Sequence, residues 1–127
     1  MKKLLRLAGL LVWVLLPAAC EDVESARYAG RLEVEAGRCS IEDAPPGGPA
    51  ASLAVRGRAV VFSPDSGVVT LPGRIDVAGH VTAGMTLAGA EHKPFTMAFE
   101  GDLRGGSIVG QYATPRCRAG VRLERAP

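Results

Sequence analysis

From position 27 onward, apolar and polar residues alternate in steps of two. Tyr28, Gly30, Leu32 and Val34 fall on one side of an extended chain, with Arg31, Glu33 and Glu35 on the other. Strand side chains point alternately to two faces, so this stretch predicts a strand with one face buried and one in water. The same rhythm returns at 51–56 and 59–62, which meet at Gly57-Arg58 either as two short strands or as one strand bulged at the glycine. It continues at 68–71 and 74–77, an extended segment broken or bent at Pro72-Gly73. Residues 80–87 place Val81, Ala83, Met85 and Leu87 on one side, and residues 94–103 do so with Phe95, Met97, Phe99 and Leu103. Residues 107–113 carry Ile108, Gly110 and Tyr112, and in 117–123 Cys117, Ala119, Val121 and Leu123 alternate with Arg118 and Arg122.

Turn-forming residues separate these runs: Ser63-Pro64-Asp65-Ser66-Gly67, Ala78-Gly79, residues 89–93 and residues 102–106. Residues 40–50 contain Pro45-Pro46-Gly47-Gly48-Pro49, which cannot sustain a ladder and read as a loop. After the first twenty residues no window supports an amphipathic helix of useful length. Many short strands with frequent turns predict an all-β fold, a small antiparallel barrel of seven or eight strands, with a two-sheet β-sandwich as the alternative. Glycines inside the strands, at 84, 101 and 110, favour the barrel, because glycine tolerates the sharp coiling that closure requires.

The first nineteen residues follow a different rule. Lys2, Lys3 and Arg6 precede ten apolar residues, 7–16, and then Pro17-Ala18-Ala19. A basic start, a short apolar core and small residues form an export signal. A spanning helix needs about 20 apolar residues, so this run is too short for one. The expected organisation is a removed signal at 1–19, an acidic tether at 20–26 bearing Glu21, Asp22 and Glu24, and one β-domain at 27–127. Ala18, Ala19 and Cys20 resemble the end of a bacterial lipoprotein signal, with Pro17 standing where leucine is usual. That resemblance implies cleavage before Cys20, fatty acylation of Cys20 and a membrane-anchored protein facing the periplasm. The alternatives are a soluble periplasmic or secreted product and an uncleaved anchor.

Thiol parity supports the lipid. The chain has three cysteines, Cys20, Cys39 and Cys117, and an odd thiol in an exported protein needs an explanation. If acylation consumes Cys20, Cys39 and Cys117 remain as one disulfide pair; the other reading of those two is a pair of buried thiols. Cross-linking a loop of 79 residues stabilises by about 4.5 kcal/mol in the chain-entropy picture. That rivals the whole stability margin of a small domain.

Charge and chemistry exclude more than they select. Three of the fifteen basic residues lie in the signal, so twelve remain against thirteen acidic ones, a net charge of −1. A nucleic-acid footprint needs a strongly basic face, and none is expected. His80 and His92 lack the short ligand spacings of a metal site, so no metal or other cofactor is expected. No serine sits in a Gly-x-Ser-x-Gly elbow. Glu100 and Asp102 share a strand face, either as a carboxylate pair or as part of a polar outer wall. Arg116, Arg118 and Arg122 alternate opposite Cys117, as a contact for an anion or acidic partner or as the solvated face of an edge strand. The expected function is therefore a non-enzymatic envelope protein whose small β-domain binds a partner or a small ligand, the barrel being either filled by side chains or, where glycine and alanine leave room, hollow enough for one ligand. A small inhibitor of an exported hydrolase, presenting a rigid loop at 44–49 or 63–67, is the second reading. An enzyme of unknown type is the third.

Overall fold

The alternation is realised as eight strands. The computed structural model describes residues 25–39 and 50–127. Its strands are β1 (Ser25–Gly37), β2 (Ala50–Arg56), β3 (Ala59–Ser63), β4 (Leu71–Ile75), β5 (His80–Ala88), β6 (Pro94–Arg104), β7 (Ser107–Thr114) and β8 (Cys117–Arg125). Each pairs antiparallel with the next, and β8 pairs back onto β1 from Tyr28↔Arg125 to Gly37↔Cys117, so the sheet closes as an eight-stranded barrel in sequence order. The export signal, Cys20 and most of the expected tether, together with the 44–49 loop, lie outside the described residues. Among the described residues no helix is long and apolar enough to cross a membrane.

Two details depart from the sequence pattern. β4 runs unbroken through Pro72-Gly73, and residues 68–70 are loop. Its ladder to β5 begins only at Gly73, so at Pro72 one side of β4 is unpaired and a residue without an N–H is tolerated. β1 starts at Ser25, inside the expected tether, because Ser25 and Ala26 pair with Arg56 and Val55.

The inward positions are those the alternation marks. Leu32, Leu53, Phe62, Leu71, Val81, Phe99, Ile108, Tyr112 and Leu123 are all essentially inaccessible. Phe62 stacks on Phe99 with ring centroids 4.2 Å apart, and Tyr112 leans on Phe62 at 5.7 Å. Eight strands leave an interior that side chains just fill, and these three rings fill its middle. The sequence leaves open whether the interior is filled or hollow, and these buried rings favour the filled one. Gly110 shows why glycine is needed. It faces Gly101 across β6 and β7, and a Cβ on Gly110 would lie 2.2 Å from the Glu100 carbonyl oxygen.

The two ends of the barrel differ. Ser25 and Arg125 lie at one end, the base, with the turns at 57–58, 76–79 and 105–106. The other end, the mouth, carries the end of β1, the loop at 64–70, the β5–β6 connection and the turn at 115–116. Cys39 and Cys117 are bonded there with Cα atoms 4.8 Å apart, joining the end of β1 to the start of β8. A disulfide is what an oxidising compartment permits.

Candidate functional site: the barrel mouth

The mouth is open because two strands outrun their neighbours. β4 pairs with β5 only up to Ala83, and β7 pairs with β6 only down to Ala98. Beyond that rim β5 and β6 pair with each other alone, from Gly84↔Ala98 to Ala88↔Pro94. The resulting arm turns its inward-parity residues, Met85, Leu87, Phe95 and Met97, toward the mouth, and all four are only partly covered. At its tip the Gly89 N–H donates to the Lys93 carbonyl (2.8 Å), and Glu91 and His92 hold left-handed φ values of 58° and 61°. Such conformations are costly for residues with a Cβ, and they fix the turn that presents Lys93.

Facing the arm is the disulfide corner. The Arg38 N–H donates to the Arg116 carbonyl (2.8 Å), extending the β1–β8 ladder by one bond past the strand ends. Between arm and corner lies an open cleft of about 700 Å³, lined among others by Arg38, Lys93, Phe95, Met97, Tyr112 and Arg116. Tyr112 is 1% exposed. Burial, and secondarily the charge of Asp65, pushes its phenol up to about 12, so the group remains a neutral donor.

The predicted arginine stripe divides. Arg116 lines the cleft, Arg118 lies beside it at the rim, and Arg122 stands further down the outer wall, where its Nε donates to Glu124 at 3.1 Å. Ser107 also donates to Glu124, and these two bonds, the serine's first, hold the Glu124 carboxyl below its ordinary value. Arg38, Lys93, Phe95, Met97 and Tyr112 were not legible as a site from sequence. The signal that existed was an apolar run, 94–99, extending past the neighbouring strands.

Glu100 and Asp102 lie on the outer wall, as a polar face, but with a partner. The register puts His80 opposite Asp102, and the imidazole lies between the two carboxylates, Nδ1 3.1 Å from Asp102 and Nε2 3.0 Å from Glu100. The hydrogen bond to Asp102 is the main cause of a raised His80 pKa, with further help from the charges of Glu100 and Asp76. Both ring nitrogens are engaged, so the ring, when protonated, clasps β5 to β6 through the two carboxylates. The two carboxylates also take different nitrogens and do not converge on one point. Among the described residues no group of His, Cys, Asp and Glu is arranged to hold a metal ion.

The clasp has a pH signature. A raised folded-state value stabilises fully below the unfolded value, near 6.5, and that contribution disappears as pH rises through the raised value. The site is exposed, so the effect is small. NMR titration of the His80 ring should give a value above 6.5, and Asp102→Asn should lower it. An unshifted ring in the unsubstituted protein would contradict the clasp.

Comparison with protein-family models, with curated proteins and with solved structures finds no match.

Proposed function

We propose that this is an exported, lipid-anchored binding protein whose barrel mouth holds a small ligand. One observation carries the reading: the barrel is filled through its middle by Phe62, Phe99 and Tyr112 yet opens at one end into a cleft of ligand size. The chain enters the barrel at the base, so a lipid on Cys20 would hold the base toward the membrane and turn the mouth away from it. Access from the periplasm then requires no rearrangement.

Two measurements test the proposal. Metabolic labelling with a fatty acid should tag the unsubstituted protein and leave Cys20→Ser untagged; equal labelling would remove the anchor. The chain has one tryptophan, Trp13 in the signal, and two tyrosines, Tyr28 and Tyr112. Tyr28 lies toward the base, opposite Arg125, so tyrosine fluorescence of the mature protein carrying Tyr28→Phe reports on Tyr112 at the cleft. A response to a small apolar ligand that Met97→Glu abolishes supports the mouth as the site, and a response untouched by that change places binding elsewhere.

The inhibitor reading also has an observation in its favour. The 63–67 loop is stiffened by Ser63 Oγ accepting from the Gly67 N–H (2.6 Å) and by Asp65 accepting from the Val69 N–H (2.8 Å), and it leaves Val68 77% exposed. Inhibition of an exported hydrolase that Val68→Asp relieves would favour that reading over the first.

A further inference from the structure

The geometry points to an amphipathic anion, a single acyl chain ending in a carboxylate, as the ligand of the mouth. This rests on the mouth being the binding site and adds the chemistry of its occupant. The cleft has two unlike sides. On the corner side Arg38, Tyr112, Thr114 and Arg116 contribute two guanidinium groups, a neutral phenol and a hydroxyl. On the arm side Pro94, Phe95 and Met97 give an apolar wall, with Lys93 at its tip.

Among the described residues no carboxylate lines the cleft, and none lies in ion-pair range of Arg38, Lys93 or Arg116. Three cations around an apolar wall outnumber Asp65, whose charge reaches the Tyr112 phenol, and give the cleft a net positive field from the described residues. The neutral Tyr112 phenol adds a donor on the corner side, and a carboxylate accepts from both a phenol and a guanidinium. An inorganic anion would leave the Phe95–Met97 wall wet. A neutral lipid would leave the two guanidinium groups without a counter-charge. A fatty carboxylate satisfies both sides at once, with its head on Arg38, Arg116 and Tyr112 and its tail along the arm. A methionine- and phenylalanine-lined wall suits a flexible chain, since the thioether adapts to the shape laid against it.

The test uses the exported, oxidised protein carrying Cys20→Ser, titrated below micelle-forming concentrations with dodecanoate, dodecanol and acetate, each by calorimetry and tyrosine fluorescence. Dodecanoate is expected to bind at least about 10-fold more tightly than either other probe, with affinity falling as salt rises. Arg38→Gln combined with Arg116→Gln should weaken dodecanoate by about 10-fold and leave dodecanol unchanged, as expected where charged hydrogen bonds hold the head. Arg74→Gln, at the base, should change nothing. Equal binding of dodecanol and dodecanoate would overturn the anionic head while keeping the mouth as an apolar site. Equal binding of acetate and dodecanoate would overturn the acyl tail. If none of the three binds, both this inference and the ligand-binding reading of the mouth fail.

Discussion

Replacing Cys39 and Cys117 together by alanine is expected to destabilise the domain by about 3–4.5 kcal/mol and to lower its melting temperature by roughly 15–25 °C. The bond spans 78 positions of sequence, and strands β2 to β7 all lie between its ends. Without it, the unfolded chain regains the freedom that the closed loop denies. The bond also ties the two strands whose pairing closes the barrel, so its loss acts on the β1–β8 ladder as well as on the unfolded state. Alanine is the right replacement at position 117, because Cys117 is 4% exposed and a serine hydroxyl there would add a desolvation cost of its own. Urea denaturation of the oxidised protein and the double variant is the check. An unchanged midpoint would show that the cross-link contributes nothing. The same variant should also bind mouth ligands less tightly, since Arg38 and Arg116 flank the bonded cysteines and are brought together by them.

Phe62→Ala should destabilise by about 3–5 kcal/mol, within the range for deleting a fully buried aromatic side chain. The ring is completely inaccessible and packs on two other buried rings, with centroids 4.2 Å from Phe99 and 5.7 Å from Tyr112. Its removal therefore costs the transfer of the ring, the stack with Phe99 and a void that eight hydrogen-bonded strands cannot collapse to fill. Phe95→Ala provides the contrast. Its ring is only partly covered, on the arm beyond the rim, so stability should change by no more than about 1 kcal/mol. Chemical denaturation of the two variants side by side separates core from mouth. Comparable losses would mean that Phe95 is core and that the cleft is a continuation of the interior.

What the sequence determined by itself is what depends on short range. The period-two alternation identifies strands and tells which residues face inward, because successive Cβ atoms point to opposite faces whatever the strand pairs with. The inward residues of β5, β6, β7 and β8 were legible for that reason, and so was the all-β class. The pairing of Cys39 with Cys117 was legible from parity and from first and last strands being neighbours in a closed meander. The tertiary structure decided everything that depends on register and strand length. Sliding one strand by two residues leaves every inward position inward, so alternation cannot say that His80 lies across from Asp102 and beside Glu100. It cannot say that β5 and β6 continue alone past the rim, or that Pro72 falls where β4 has one unpaired side. For the same reason the arginines at 116, 118 and 122 looked like one stripe, although closure sends Arg116 to the mouth and leaves Arg122 with Glu124 on the wall. Arg38, Lys93 and Tyr112 come from three separate stretches of chain, and only the closed barrel brings them around one cleft.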